Sequence, residues 1–238
     1  MASCFTAHNI RLDDGSLTKP EQPWLMEDLP LLKFTKQFLR MVFPDGVAGK
    51  RVVDLGCLEG GYTVEFARQG FAALGIEVRE SNFEKCQRVK AGTHLPNLTF
   101  VHDDVQNLAT YGVFDVVFCC GLLYHLDKPR QFVKLMAQTC RRAIIIDTHV
   151  ASTRRNGKFS LSRVTQNEGW SGRWFREGGK KRYQANWSSW SNEKSFWPMK
   201  SHLVEVLRNS GFPIVIEYPI LEPYRELTDR VTIVAVKD

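Results

Sequence analysis

Two histidines and a set of acids occupy positions where a sheet-based enzyme does chemistry. His125 follows the apolar run 114–120, and His149 follows a second run at 143–146. Histidine is the usual base for taking a proton from a hydroxyl near neutral pH. Upstream, Val52-Val53-Asp54-Leu55 leads into Gly56-Cys57-Leu58-Glu59-Gly60-Gly61. Glycines there let the chain turn tightly and let a ligand approach the backbone. A helix starting after them presents unpaired amides to an anionic group. Leu58 breaks the dinucleotide pattern, and no Gly-Lys-Ser/Thr follows to make a P-loop. Glu77 comes twenty-three residues after Asp54, and a carboxylate there can accept hydrogen bonds from a ribose diol. Asp103 and Asp104 stand where they reach toward an adenine amino group.

The elements that must position these residues follow from periodicity. Apolar residues at helical spacing predict a helix over 31–43, ended by Pro44-Asp45-Gly46. Strands are expected at 51–55, 72–77, 98–101, 114–120 and 143–146, with helices at 60–69, 80–91 (stopped by Gly92) and 129–140. Continuous apolar strands alternating with helices predict an α/β fold, a doubly wound and mostly parallel sheet covered on both faces. The site acids and histidines then stand at carboxyl ends of strands, where such sheets bind ligands. Period is lost for about fifty residues after Thr148 and returns in a helix at 200–210 closed by Gly211. Runs at 214–217 and 231–236 read as a closing antiparallel pair. Residues 1–28 show no clear period, and Trp24 is their candidate anchor.

Taken in order, these motifs resemble the class I S-adenosylmethionine-dependent methyltransferases. The resemblance covers about 50–148 and the terminal strand pair, and implies a seven-stranded Rossmann-like sheet. Val-Val-Asp-Leu-Gly-Cys-x-x-Gly at 52–60 is similar to the family's first motif. Phe-Asp-Val-Val-Phe-Cys-Cys-Gly-Leu-Leu-Tyr-His-Leu-Asp-Lys-Pro at 114–129 is similar to its fourth. The resemblance implies S-adenosylmethionine as cofactor, held by Asp54, Gly56, Cys57, Gly60, Glu77, Asp103, Asp104, Val105 and Cys120. Leu58 departs from a glycine common in the family and puts the path of the loop in question. Cys57 reads as loop packing, and no Cys/His cluster has zinc spacing.

Methyl transfer from a sulfonium chiefly needs alignment of acceptor, methyl and sulfur. A hydroxyl acceptor also needs a base, for which His149 is the first choice and His125 the second. The competing reading is that either ring only bonds a loop backbone. Tyr124 lines the methyl pocket or packs in the core. His8, His94, His102 and His202 have no comparable placement.

Segment 151–200 holds eleven Lys or Arg against three acids, and five of the six Trp. It is too aromatic for a disordered linker. It is expected to cap the site after the fifth strand, with Trp170, Arg173, Trp174 and Trp190 on the acceptor. Trp faces stack on sugars and bases, and Arg grips phosphate. The favoured acceptor is a small polar, glycan-like or natural-product molecule bearing a hydroxyl, with an amine second. An RNA surface, a homodimer contact through the cap and a non-catalytic cofactor-binding scaffold are the alternatives. Arg154-Arg155 and Lys180-Lys181-Arg182 read as solvated loop charge.

Organisation is accordingly expected as an N-terminal segment and helix (1–49), a cofactor-binding core (50–148), a cap (149–200) and a C-terminal part of the sheet (201–238). The 238 residues are 43% hydrophobic and 24% charged, a globular composition that can bury a core without disulfides. No apolar run approaches the ~20 residues of a membrane span, and the first 25 residues lack the apolar block of a secretory signal. Six Cys in mostly apolar stretches suggest reduced thiols, hence a cytoplasmic setting.

Overall fold

The computed structural model describes residues 5–152, 159–178, 188–218 and 229–237. Arg154, Arg155, Lys180, Lys181, Arg182 and Trp187 lie outside the described residues. Strands β1 (Arg51–Leu55), β2 (Ala72–Glu77), β3 (Leu98–His102), β4 (Phe114–Cys120), β5 (Cys140–His149), β9 (Ile214–Tyr218) and β10 (Arg230–Val236) form one seven-stranded sheet. Its order is β3-β2-β1-β4-β5-β10-β9. β2 runs parallel to β1 and β3, and β5 runs parallel to β4. β10 is antiparallel to both β5 and β9. This is the doubly wound, Rossmann-like sheet with its closing antiparallel pair. Among the described residues no helix is long and apolar enough to cross a membrane.

The chain divides into two compact units, Met1–Asn107 and Leu108–Asp238. In the first, helices α1 (Pro30–Val42), α2 (Gly61–Arg68) and α3 (Glu80–Thr93) accompany β1–β3. Val52, Val53, Leu55, Ile76, Val64 and Phe66 make its dry centre. α3 does not stop at Gly92; it runs to Thr93, and His94 takes the left-handed turn at φ +43°. Gly92 serves close packing instead. A Cβ there would stand 2.9 Å from the Leu12 side chain, and the Gly92 carbonyl accepts the Asp13 amide. The segment before α1 is folded as well. Asn9, Ile10, Thr18 and Met26 are buried, whereas Trp24 is exposed and anchors nothing.

In the second unit, Val116–Cys119, Ala143–Ile146 and Ile233–Ala235 are buried on adjacent strands. Helices α4 (Pro129–Gln138) and α5 (Lys200–Asn209) add Phe132, Met136, Leu203 and Leu207. α4 is shorter than its apolar spacing predicts, because Cys140 already belongs to β5. The segment that lost its period is a second sheet, β6 (Thr165–Asn167), β7 (Trp170–Arg176) and β8 (Lys194–Pro198), all antiparallel. Gly172 permits its tightest contact, since a Cβ there would meet the Trp197 carbonyl at 2.3 Å. Glu168 ties this sheet to α4: its carboxylate accepts the first-turn amides of Arg130 and Gln131 at 2.9 and 3.0 Å. Those amides have no partner inside the helix, and a carboxylate also suits the positive end of the helix dipole.

Candidate active site

In the first unit the turn between β1 and α2 carries three left-handed residues, Gly56 (φ +66°), Leu58 (φ +55°) and Gly60 (φ +81°). Leu58 thus adopts the glycine-like backbone despite its side chain, at a cost of roughly 1–2 kcal/mol. Glycine is obligatory at Gly60, where a Cβ would lie 2.5 Å from the Phe100 ring. Glu77 locks the turn from the end of β2. Its Oε2 accepts the Leu58 amide at 2.9 Å and its Oε1 the Arg79 amide at 2.7 Å. Burial pushes the Glu77 carboxyl above its ordinary range, and the two amides oppose that rise. Asp54 is buried and accepts the Thr63 hydroxyl at 2.6 Å. Burial raises its pKa to about 7 against that bond, and the charge of Glu77 adds to the rise.

Cys57 packs with its sulfur 3.9 Å from that of Cys86, and burial pushes its thiol well up, so it is no nucleophile. Asp103 Oδ1 accepts the Asp104 amide and the Asn107 side-chain amide. Asp104 Oδ1 accepts the Gln106 amide, and Val105 between them is buried. Glu77 accepts the Leu58 and Arg79 amides and a hydrogen bond from the Asn82 side chain, three of the roughly four acceptor positions of a carboxylate. Together with the half-buried acids after β3, this acceptor set fits a ribose diol and an adenine amine.

Sequence reasoning missed a third participant. His8 lies against the turn, its Nδ1 accepting the Gly61 amide at 3.0 Å. Burial lowers its pKa to about 4, with the charge of Glu59 opposing and that of Lys85 assisting. No local pattern could reveal a contact across fifty-three residues.

In the second unit both candidate histidines hold a carboxylate on Nδ1. His125 Nδ1 lies 3.0 Å from Glu177 Oε1, which also accepts the Ser195 hydroxyl at 2.8 Å. A carboxylate only accepts, so His125 donates from Nδ1. His125 Nε2 is buried and, among the described residues, has no hydrogen-bond partner. The His125 carbonyl is held by the Asn192 side chain at 3.0 Å. His149 Nδ1 lies 3.3 Å from Asp229 Oδ1. Its ring stacks on Trp197 at 4.6 Å and meets Tyr124 and Phe159 edge-on. Burial and then the charge of Arg230 lower its pKa, against Asp229. Below this cluster Asp147 accepts Arg230 Nε at 2.7 Å and the Thr232 hydroxyl at 2.7 Å. The Cys120 sulfur is 3.9 Å from Asp147. The Arg230 cation sits 5.8 Å from the Tyr124 ring, while burial drives the Tyr124 phenol upward.

Among the described residues the rings packed on His149 are therefore those of Tyr124, Phe159 and Trp197, with Phe175 against the last two. Of the expected acceptor contacts, only Tyr124 is among them. Trp170 is 5% exposed and stacks on His202. Arg173 is 5% exposed and donates to the carbonyls of Ser152 and Ser162. Both side chains are thus engaged in contacts within the chain. Trp174 packs edge-on against Phe196. Trp190 is 43% exposed.

Residues 52–143 match the family described as methyltransferase domain. Ubiquinone biosynthesis O-methyltransferase of Vibrio campbellii is 30% identical over 97 residues, 39% of this chain and 40% of that protein. The match thus spans less than half of that curated relative. The N-terminal domain of EvdMO1 with SAH bound superposes with a TM-score of 0.67 at 27% identity, over 87% of this chain and 80% of that one. The same domain in the presence of SAH and D-fucose gives a TM-score of 0.68 at 26% identity, over 88% and 83%.

Proposed function

We propose that this chain, whose residues 52–143 match a methyltransferase domain, is a class I S-adenosylmethionine-dependent methyltransferase that methylates a hydroxyl on a small, polar, ring-bearing acceptor of sugar-like or natural-product type. S-adenosylmethionine supplies, when bound, an electrophilic methyl group and a thioether leaving group. Glu77, Asp103 and Asp104 accept hydrogen bonds from its nucleoside part, and the Gly56–Gly60 turn gives the close backbone approach.

One observation carries the acceptor reading: among the described residues His125 Nε2 is buried without a partner while Glu177 holds Nδ1. A buried acceptor without a donor is costly and calls for an explanation. An acceptor hydroxyl supplies that donor. Its proton passes to Nε2 as its oxygen attacks, and Glu177 stabilises the resulting imidazolium. His149, Tyr124, Phe159 and Trp197 offer ring faces and edges to the rest of the acceptor. His125 becomes the preferred base over His149, because its Nε2 is the buried nitrogen without a partner among the described residues. The O-methyltransferase relative and the EvdMO1 domain studied with D-fucose support this class of acceptor.

An RNA acceptor is disfavoured, because base stacking needs exposed aromatic platforms. Among the described cap tryptophans only Trp190 is exposed. The test is transfer of labelled methyl from S-adenosylmethionine to panels of glycosides, phenols, amines and tRNA. Label on a glycoside or phenol hydroxyl supports the proposal. RNase-sensitive label would replace it.

A further inference from the structure

Glu59 is a fully buried carboxylate that no step of the proposed reaction uses. It accepts the backbone amides of Thr6, Ala7 and His8 at 2.7, 3.0 and 2.9 Å, and the Thr6 hydroxyl at 2.9 Å. Lys85 from α3 completes its shell at 2.8 Å. Three consecutive amides converging on one side chain in the middle of a ligand loop are more than loop decoration. They fasten residues 5–28 to that loop. The strap is itself braced. The Thr18 hydroxyl donates to the His8 carbonyl, Lys19 Nζ donates to the Thr6 carbonyl, and the Met26 amide donates to the Asn9 carbonyl. His8 then returns to the turn by accepting the Gly61 amide. The approach at Gly61 is so close that a Cβ would stand 2.8 Å from both His8 Nδ1 and the Met26 side chain.

We infer that Glu59 and His8 are positioning residues for the cofactor: by docking the 5–28 strap they hold the Gly56–Gly61 turn in its binding shape, so strap docking and cofactor binding are coupled. This rests on the S-adenosylmethionine reading given above. The physical reason is the turn itself. It places Leu58 in a disfavoured left-handed conformation, and such a backbone persists only where its surroundings over-determine it. Glu77 fixes the Leu58 amide from one side. Glu59, the next residue along, is fixed by the strap from the other. Coupling of this kind is reciprocal. A strap that favours the cofactor must in turn be protected by it.

The test uses the whole chain and S-adenosylhomocysteine. Hydrogen exchange at the amides of residues 6–8 should slow when S-adenosylhomocysteine is added. Glu59→Gln and Gly61→Ala should each weaken its binding about tenfold, within the usual range of such coupling. The loss should fall on the cofactor KM and not on the acceptor KM, a split that general destabilisation would not produce. Gly61→Ala guards against misfolding of the charge variant, because alanine favours helix α2 while its Cβ crowds His8 and Met26 where the strap meets the turn. If wild type binds S-adenosylhomocysteine with unchanged exchange at residues 6–8, or Gly61→Ala binds it as wild type does, the inference is overturned. A wild-type chain that does not bind S-adenosylhomocysteine would overturn the cofactor reading and this inference with it.

Discussion

His125 and Glu177 face each other across 3.0 Å, and among the described residues the far nitrogen of the imidazole has no hydrogen-bond partner. The carboxylate fixes which nitrogen carries the proton, and hence which one can receive another. His125→Ala should lower kcat/KM for a hydroxyl acceptor by about 10²–10⁴-fold, the usual weight of general base catalysis. Glu177→Gln is the sharper experiment. An amide can donate to Nδ1, which would move the proton to Nε2 and remove the base while leaving the ring in place. The activity loss should approach that of His125→Ala. Near-wild-type turnover in Glu177→Gln would rule the pair out.

The tryptophans of the small sheet divide into two roles that single substitutions can separate. Trp197 is fully buried, stacks on His149 and donates its indole N–H to the Tyr124 carbonyl at 3.0 Å. Trp197→Ala should cost about 3–5 kcal/mol of stability in a denaturant titration. Trp197→Phe keeps most of the packing but orphans that carbonyl, a loss of about 1–3 kcal/mol, and should raise the acceptor KM. Trp190→Ala, at a position 43% exposed, should cost less stability than Trp197→Ala. A large rise in acceptor KM for Trp190→Ala alone would move the acceptor away from His149.

The parallel strands were legible because buried strands read as unbroken apolar runs, as in Val116–Cys119 and Ala143–Ile146. The turn at 56–61 was legible because only glycine-rich chain bends that way. The small sheet was not. In Trp170–Arg176 the buried positions do not alternate, and Arg173 turns inward to backbone carbonyls, so the two-residue period is erased. Residue type alone also misassigned Gly92, where the missing side chain makes room for Leu12 and does not end α3. The partners that complete the site are the least legible. Glu177 lies fifty-two residues from His125, and His8 fifty-three from Gly61. Tertiary contact, with no local period, selects both.

Leu58 offers a stability test of the turn. At φ +55° a glycine would relieve steric strain but would add entropy to the unfolded chain, two effects of about 1 kcal/mol each that oppose one another. Leu58→Gly should therefore shift stability by no more than about 1 kcal/mol. Leu58→Val places a β-branched residue in the same left-handed conformation and should destabilise by about 1–3 kcal/mol. Equal stability of the two variants would show that the turn relaxes to another path.

Acid should loosen the N-terminal strap in a defined window. In the folded chain His8 stays neutral down to about pH 4, held there by burial and by its role as acceptor for Gly61. In the unfolded chain it takes its proton near pH 6.5. As pH falls from about 6.5 to 4 the unfolded state binds more protons, so His8 subtracts stability across that range. Asp54 acts in the opposite sense. Its folded pKa of about 7 lies above its unfolded value near 3.9, so the folded chain takes up that proton first and gains stability as pH falls. Glu59 enters later. Its pKa of about 2 keeps it ionised in the folded chain, and its contribution is lost only as pH drops from about 4.3 towards 2. Replacing His8 by Gln removes the first process and leaves the other two. Tm measured between pH 7 and 4.5 should then fall less steeply for His8→Gln than for wild type. Parallel Tm curves for the two proteins would mean that His8 is not held neutral against the Gly61 amide.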